Sequence, residues 1–262
     1  LVITFFPHPG SVLGTKPIPG YLTSPTERAH LLMGLGVDEV ITFEFSRQFS
    51  QVSAQDFVQR LKNQYGMTCL FAGYDFTLGR NREGNVEKLR ELGHEIGFKV
   101  HLIDAISNGS EILSSRKIRG LIQEGEMALA ADFLGRNYRV EGTVITGDNR
   151  GRALGFPTAN LDIWSEQLLP PHGVYAGWVF IEGIRYPGVA NLGLRPTFQK
   201  NINIPRLEIH VLDFFQDLYG KTTQFEFVQR LRPEIRFNSI EQLKIQIQQD
   251  IQKTREVLKN GS

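Results

Sequence analysis

Two hydrophobic patterns divide the chain, and the first runs from residue 1 to about residue 125. Short, nearly continuous apolar runs alternate there with segments of helical period. The runs are LVITFF (1–6), VDEVITF (37–43), MTCLFA (67–72) and FKVHLI (98–103). Such runs are typical of parallel strands that are covered on both faces. The alternation predicts a Rossmann-like α/β domain with a parallel sheet, which binds ligands at the C-terminal ends of its strands.

The helices of this half have recognisable starts and ends. The sequence SPTE (24–27) is a capping box with proline at the first helical position. A second helix is predicted to begin at Ser53 and to end at Gly66, because serine caps helix starts and glycine ends them. Residues 83–97 supply a third helix.

After two short helical segments, the spacing from about residue 136 becomes that of strands. The segments are YRVEGTVITG, VYAGWVFIEG, IRYPGVANLG, RLEIHVLD and TTQFEFVQRL, with turn residues between them. Glu182 and Gly183 form a predicted hairpin turn. Five or six antiparallel strands of this length predict a small barrel or sandwich. A long amphipathic helix follows, opened by Ser239 with Gln242 in the capping-box position. We expect two domains, 1–135 and 136–262.

Composition and charge restrict the class of partner. A chain of 262 residues with 41% hydrophobic and 22% charged residues is typical of a globular protein with one or two cores. The net charge is +1, so no overall field attracts nucleic acid or an acidic membrane, and an anion site has to be local. No membrane-length apolar stretch and no signal peptide is visible, which makes a cytoplasmic location the expectation. The lone Cys69 is predicted to be a small core residue. Oligomeric state stays open.

The stretch GDNRGRALGFPTANL (147–161) has chemistry suited to phosphate. It follows a strand, and Gly151 and Gly155 let the backbone approach a ligand closely or adopt positive φ. Free backbone N–H groups bind phosphate oxygens, and Arg150 and Arg152 add positive charge. The stretch is not a P-loop, because GxxxxGK[ST] is absent and no helix is expected after it.

The end of the same stretch offers oxygen ligands for a metal. Pro157 stiffens the turn. Thr158 and Asn160 then provide a hydroxyl and an amide oxygen, the hard ligands that Mg²⁺ accepts beside phosphates. The alternative is a glycine-rich hairpin with a buried threonine, which is the commoner outcome for a generic glycine loop.

The string GRALGFPTANL resembles the signature loop of the riboflavin kinases. The segments GVYAGWV, GVANLGLRPTF and LEIHVLDFFQDLYGK follow in the order of that family. The first half resembles the flavin adenylyltransferase module of bacterial bifunctional enzymes, the FAD synthetases. Its matching pieces are TFFPHP (4–9), FAGYDFTLGRNREGN (71–85) and LSSRKIR (113–119).

The resemblance implies a nucleotidyltransferase-like α/β domain, a small β-barrel and two reactions. Riboflavin is phosphorylated with Mg-ATP to FMN, and AMP is then transferred from ATP to FMN to give FAD. It also implies that Glu208, in RLEIHVLD, is the base acting on the ribityl 5′-hydroxyl, a role suited to phosphoryl transfer. Without the resemblance, Glu208 is an outward-facing strand residue.

In the first half, the resemblance points to residues that follow strands. His8 follows the first strand, where it would neutralise a triphosphate or cap the turn. Asp75 and Phe76, in GYDF, follow another strand in a segment with which the family binds flavin or adenine.

A third group lies at a helix start. Ser114, Ser115 and Arg119 combine free N–H groups, hydroxyls and a guanidinium, which suit phosphate. Arg116 departs from the family pattern, which has threonine at that position.

The start of the chain also departs from the family. A His-x-Gly-His-type motif is absent from the sequence, and the chain opens inside an apolar run at Leu1. We expect either that the native chain extends upstream or that this copy lacks the element, and we expect AMP transfer by residues 1–262 to be very weak or absent. The alternatives are a flavin- or nucleotide-binding regulatory module without turnover, a riboflavin kinase that has lost the second activity, and a nucleotidyltransferase for another substrate.

Overall fold

The computed structural model describes residues 1–14, 20–109, 111–147, 150–196 and 203–259. These residues divide into two compact units. The first unit comprises Leu1–Ile18 and Pro25–Leu113, and the second comprises Pro19–Ser24 and Ser114–Ser262. The domain boundary predicted at residue 136 stays a prediction.

The first unit alternates strands and helices as the hydrophobic pattern predicts. In chain order its elements are β1 (Val2–Phe6), α1 (Pro9–Val12), α2 (Pro25–Gly34), β2 (Val40–Glu44), α3 (Ala54–Tyr65), β3 (Cys69–Gly73), α4 (Val86–Ile96), β4 (Lys99–Ile103), β5 (Ser107–Asn108) and β6 (Glu111–Ile112). Strand β1 pairs with β2, and β3 pairs with β4, both in parallel. Parallel pairing in this half is therefore confirmed. Short 3₁₀ turns lie at Phe49–Gln51 and Arg80–Arg82.

The helix caps explain where the helices begin and end. The Ser53 hydroxyl accepts a hydrogen bond from the backbone N–H of Asp56 at 3.0 Å, and Gly66 ends α3 with φ of +63°. Both positions were predicted. Helix α4 begins after Asn85 rather than at residue 83, because the Asn85 side chain accepts the N–H of Lys88. A side-chain oxygen before the first helical residue satisfies an N–H that has no partner within the helix.

The prediction that these strands are covered on both faces is wrong for the β3–β4 pair in the described residues. Leu70 and Ala72 face the core beneath α3 and α4. Phe71, on the opposite face, is 64% exposed, and Cys69 is exposed rather than a core residue. A continuous apolar run reveals apolar side chains on both faces of a strand, but it does not reveal which faces other elements cover.

The second unit begins with two helices and continues as a barrel. Its elements are α5 (Ser115–Glu124), α6 (Met127–Leu134), β7 (Tyr138–Ile145), α7 (Arg150–Leu154), β8 (Ala159–Ile163), β9 (Gly173–Ile181), β10 (Ile184–Pro196), β11 (Asn203–Val211), β12 (Thr222–Arg232) and α8 (Ile240–Lys259). Among the described residues, six strands close in the order β10-β11-β8-β7-β12-β9. All neighbouring strands are antiparallel. The structure is thus a barrel and not a sandwich.

Alternation along each strand separates the barrel core from its outer face. On β11, Leu207 and Ile209 are fully buried inside, so Glu208 between them points outward. The predicted hairpin turn between β9 and β10 is confirmed, because Glu182 and Gly183 have φ of +51° and +82°. Positive φ at both central residues is the geometry of a type I′ turn.

The stretch 147–161 contains more regular structure than its composition predicts. Residues 150–154 form helix α7, and strand β8 begins at Ala159 and pairs with both β7 and β11. The expectations of a plain loop and of no helix after the strand are therefore wrong. Ala159, Asn160 and Leu161 are all buried, so β8 lacks the alternation of polar and apolar residues that would identify it.

Helix α8 lies against the outer surface of the barrel. The Ser239 hydroxyl accepts the N–H of Gln242, and the Gln242 side chain accepts the N–H of Asn238, both at 3.2 Å. The predicted helix start at Ser239 is therefore confirmed, but the Gln242 side chain binds the N–H one residue before the position of a standard capping box. The helix packs on β9, β10 and β12. Within the described ranges, we find no helix with both the length and the hydropathy needed to span a membrane.

Candidate active site

Close backbone packing shapes the segment between β7 and β8. A Cβ atom on Gly151 would lie 2.4 Å from the carbonyl oxygen of Phe156 and 3.1 Å from the Thr158 hydroxyl. Only glycine allows this approach. Gly155 has φ of +92°, so both glycines serve the turn geometry that the sequence predicts. The side chains of Arg150 and Arg152 lie outside the described residues, and their contact with phosphate stays a prediction.

Thr158 lies in the wall of two cavities. The first, which we name the β11–β12 cavity, has a volume of about 360 Å³ and includes residues 214–219 and Pro157 in its lining. The second, the α8 cavity, has a volume of about 340 Å³ and lies between α8 and the outer face of the barrel. A ligand in either cavity can therefore reach the Thr158 side chain.

The α8 cavity has apolar walls and acidic polar groups. Glu208, Glu234 and Asp250 contribute carboxylates, and Arg232 contributes a guanidinium. Arg232 is already paired, because its Nε and Nη2 atoms lie 2.7–3.1 Å from the Asp250 carboxylate. The apolar lining comes from Leu154, Phe156, Val174, Val189, Ile235, Phe237, Leu243, Ile247 and Ile251. This cavity suits a flat, uncharged and largely apolar ligand better than a polyanion.

Glu208 lines the α8 cavity. It faces outward from β11, as an ordinary strand residue would, but here part of the outer face of the barrel lies under α8. In the strand register Glu208 is opposite Asn160 of β8. The Arg206 Nε atom lies 3.1 Å from the Glu208 carboxylate and 2.6 Å from the Asn160 amide oxygen. The structure thus brings the predicted base close to one of the predicted metal ligands.

The oxygen atoms available suit Mg²⁺ held together with a nucleotide. Among the described residues, no group of three or more His, Cys, Asp or Glu side chains could hold a metal ion. Thr158, which carries a hydroxyl oxygen, lines both cavities. Asn160 is buried, and its amide oxygen accepts a hydrogen bond from Arg206 Nε. Mg²⁺ prefers oxygen ligands and takes several of them from water and substrate phosphates, so this donor set fits the ion.

The sequence did not single out His210. It follows Glu208 by two residues on the outer face of β11 and lines the α8 cavity. Its Nδ1 atom lies 2.7 Å from the carbonyl oxygen of Pro157, so the ring holds the residue next to Thr158 in place. The period of two from Glu208 was the available signal. Asp217 lines the β11–β12 cavity.

In the first unit, the predicted residues follow parallel strands as expected. His8 comes after β1, where its Nδ1 atom accepts the N–H of Gly10 at 3.0 Å and caps α1. Asp75 is exposed after β3. Phe76 packs against the core between α3 and α4. These contacts serve the local fold, and a role in ligand binding stays a prediction.

Ser114, Ser115 and Arg119 belong to the second unit. The Ser114 hydroxyl caps α5 by accepting the N–H of Lys117 at 3.2 Å, and Ser115 is the first residue of that helix. The Arg119 Nε atom donates a hydrogen bond to the carbonyl oxygen of Gly20 at 3.0 Å. The predicted phosphate contact of these residues is not tested by this geometry.

Comparison with known proteins connects both halves to one family. A family model described as FAD synthetase matches residues 1–117, and one described as riboflavin kinase matches residues 134–258. A bifunctional riboflavin kinase/FMN adenylyltransferase from Listeria monocytogenes is 37% identical over 97% of this chain and 81% of its own length. The protein of the same name from Bacillus subtilis strain 168 is 35% identical over 96% of this chain and 80% of its own length. That from Escherichia coli K12 is 36% identical over 98% of this chain and 82% of its own length.

A solved structure shares the fold across both units. A crystal structure described as a macrolide-efflux protein from Streptococcus pneumoniae has a TM-score of 0.85 and 31% identity to this chain. The match covers 97% of this chain and 82% of that one. None of these matches tests the prediction that an N-terminal element is missing before Leu1. From its two family models and its identity to these relatives, the chain belongs to the family of bifunctional riboflavin kinase/FMN adenylyltransferases.

Proposed function

We propose that this protein phosphorylates riboflavin with Mg-ATP to give FMN, and transfers AMP from ATP to FMN to give FAD. We assign the first reaction to residues 136–262 and the second to residues 1–135. The observation that carries the kinase proposal is that Thr158 lies in the wall of two cavities, with Glu208 in one of them. The α8 cavity and the β11–β12 cavity can therefore present two substrates to the same group. A cytoplasmic location, where ATP is abundant, is part of the proposal.

The charges of the α8 cavity favour riboflavin as its ligand. Glu208 is ion-paired with Arg206, and Asp250 is ion-paired with Arg232. Glu234 therefore leaves the lining with a net negative charge, which disfavours a triphosphate. Riboflavin is uncharged, and its flat ring system would lie between the apolar side chains of α8 and the barrel. A ribityl chain directed towards Thr158 would bring its 5′-hydroxyl near Glu208.

The β11–β12 cavity suits ATP. Phe214, Phe215 and Tyr219 provide aromatic surface for an adenine ring, and Asp217 is its sole carboxylate among the described lining residues. Phosphates that extend from this cavity towards Thr158 would reach the segment of Gly151 and Gly155. Backbone N–H groups in glycine-containing turns bind phosphate oxygens.

The proposed chemistry is an in-line transfer of a phosphoryl group. Glu208 accepts the proton of the 5′-hydroxyl, the hydroxyl oxygen bonds to the γ-phosphorus, and the bond from that phosphorus to the bridging oxygen breaks to release ADP. Thr158 and Asn160 would hold Mg²⁺, which neutralises charge on the phosphate oxygens when it is bound. Asn160 can bind the ion once its amide oxygen no longer accepts the hydrogen bond from Arg206. His210 fixes the backbone beside Thr158 through Pro157.

Glu208→Gln tests the kinase proposal. The change keeps the shape of the side chain and removes the carboxylate, and a positioned base contributes about 10²–10⁴ in rate. FMN formation, measured by chromatography, should fall by that order while riboflavin binding, measured by quenching of its fluorescence, persists. Glu141→Gln is the control, because it removes an exposed carboxylate of the barrel strand β7 that lines neither cavity and should change the rate little. Full kinase activity in Glu208→Gln would remove the base assignment.

AMP transfer is tested separately from the kinase reaction. Supplied with FMN and ATP labelled at the α-phosphate, the chain should form labelled FAD, and Glu208→Gln should form it at the same rate. The match of residues 1–117 to the FAD synthetase model supports this activity. The sequence alone predicts that it is very weak or absent. Absence of FAD beside active FMN formation would favour a kinase without the second activity. Failure of both reactions would favour the binding-module alternative.

A further inference from the structure

Arg206 contacts two residues of the proposed kinase site. Its Nε atom lies 2.6 Å from the amide oxygen of Asn160 and 3.1 Å from the carboxylate of Glu208. The side chain of Arg206 is 16% exposed, against 35% for Glu208, and Asn160 is buried. One cationic group therefore holds a proposed metal ligand and the proposed base at the same time.

The strand register fixes this arrangement. Arg206 and Glu208 are two residues apart on β11 and so point to the same outer face, and Glu208 is opposite Asn160 on β8. The backbone of Gly147 lies directly against the cluster. A Cβ atom there would come within 2.5 Å of Arg206 Nη2 and within 2.0 Å of the Asn160 amide nitrogen. Strand pairing and close packing thus keep the guanidinium beside Asn160.

We propose that Arg206 is a positioning residue that prevents the Asn160 oxygen from coordinating a free divalent cation. Metal binding then depends on the nucleotide. The inference rests on the proposed function, because it takes the Mg²⁺ ligands from there. A guanidinium keeps its positive charge at any pH at which the protein is folded. At 2.6 Å from the ligand oxygen, this charge repels a divalent cation from the same oxygen.

A nucleotide changes the balance of charge at this point. The phosphates of ATP carry negative charge to the cluster, and they attract both the metal ion and the arginine. Arginine binds phosphate oxygens in bidentate geometry at least as well as it binds an amide oxygen. The guanidinium can therefore leave Asn160 for Glu208 or a phosphate oxygen as the metal arrives with its nucleotide. Free metal ions, which bring no compensating charge, leave Arg206 in place.

A purely structural role predicts a different result. If Arg206 only supports the fold, then its removal should lower the melting temperature and leave metal affinity unchanged or weakened, because the ligands lose their support. The proposal predicts the opposite direction for the affinity of the protein for a free metal ion. The sign of the change therefore distinguishes the two roles.

The experiment titrates Mn²⁺ into the full chain without nucleotide and measures free Mn²⁺ by electron paramagnetic resonance. Arg206→Gln should bind one Mn²⁺ about tenfold or more tightly than the unchanged protein, since the local positive charge is gone. Arg206→Lys keeps that charge and should bind Mn²⁺ as weakly as the unchanged protein. Arg206→Met is measured in parallel, in case the glutamine variant does not fold. The double change Arg206→Gln with Asn160→Ala should lose the gained site.

Equal Mn²⁺ affinity in the unchanged protein and in folded Arg206→Gln or Arg206→Met would overturn the proposal. A gain in affinity that survives Asn160→Ala would also overturn it, because the metal would then be bound elsewhere. With ADP present, the difference between the unchanged protein and Arg206→Gln should shrink. Formation of FMN by the unchanged protein is assayed separately, so a failure of the proposed kinase function is distinguishable from a failure of this inference.

Discussion

The ion pair between Arg232 and Asp250 should stabilise the second unit far more than the exposed ion pair between Arg255 of α8 and Asp213 does. Arg232 ends β12 and Asp250 lies in the middle of α8, so the pair connects the barrel to the helix. Three N–H to carboxylate contacts of 2.7–3.1 Å join them, and Gln246 donates a further hydrogen bond to Asp250. The side chains are 18% and 7% exposed. Asp250→Ala removes the carboxylate and leaves the guanidinium in place.

The magnitude follows from the exposure of the two side chains. Removing one partner of a fully buried pair costs about 3–5 kcal/mol, and removing an exposed pair costs about 1 kcal/mol or less. The Arg232 guanidinium keeps some contact with water and one other acceptor, the carbonyl oxygen of Pro233 at 3.1 Å. We therefore expect Asp250→Ala to lower the free energy of unfolding by about 2–4 kcal/mol.

Arg255→Gln is the matched control. Arg255 also lies on α8, and its pair with Asp213 has a similar distance of 2.9 Å. These side chains are 45% and 67% exposed, so the control should lose about 1 kcal/mol or less. The guanidinium of Arg255 also lowers the pKa of the Asp213 carboxyl. This small contribution is present above the usual pKa of an aspartate and is lost as the pH falls through the lowered value.

Urea unfolding of the full chain, followed by tryptophan fluorescence, measures the effect. Both tryptophans of the chain, Trp164 and Trp178, lie in the second unit, so the signal reports that unit. A loss of 2–4 kcal/mol corresponds to a shift of the urea midpoint by about 1–2 M. Riboflavin affinity should fall as well, because α8 forms one wall of the cavity. A shift no larger than that of Arg255→Gln would refute the reasoning about burial.

Three further predictions follow from other contacts. Thr158→Ala should weaken Mg-ADP binding by about tenfold or more in calorimetry, whereas Thr158→Ser, which keeps the oxygen, should not. Gly177→Ala would place a Cβ atom 2.1 Å from the Glu226 carbonyl oxygen and should destabilise the barrel by about 2 kcal/mol or more. Gly120→Ala lies on helix α5 where a Cβ atom meets open space, and it should stabilise the protein by about 0.5–1 kcal/mol. Equal urea midpoints for the two variants would contradict both predictions. Burial raises the pKa of Tyr175 to about 12. Its contribution to the free energy of unfolding is therefore fully present below the usual tyrosine pKa of about 10 and is lost as the pH rises from there towards 12. Tyr175→Phe should lose less stability over that pH range, and a pH slope equal to that of the unchanged protein would contradict this prediction.

The hydrophobic pattern was sufficient to predict most elements of both units. Strands such as β11 alternate strictly, and helices such as α3 carry a serine before the start and a glycine after the end, so local chemistry determines them. Strand β8 was missed because Ala159, Asn160 and Leu161 are all buried and the alternation disappears. The exposure of Cys69 was missed because it depends on which face of β3 other elements cover.

The candidate site was only partly predictable. Thr158, Asn160 and Glu208 lie in motifs that resemble a known family. Arg206 carries no motif, and its role follows from contact with Asn160, which is 46 residues away in sequence. Such a contact depends on the register between β8 and β11, which no local pattern of residues specifies.

A crystal structure of the full chain with riboflavin and Mg-ADP tests the central claim most directly. We predict the flavin ring in the α8 cavity and the adenine in the β11–β12 cavity, with the ribityl 5′-hydroxyl beside Glu208 and the β-phosphate at Thr158. We further predict that Arg206 has left the Asn160 oxygen. Flavin and nucleotide bound in the opposite cavities, or a 5′-hydroxyl beyond hydrogen-bonding reach of Glu208, would contradict that claim.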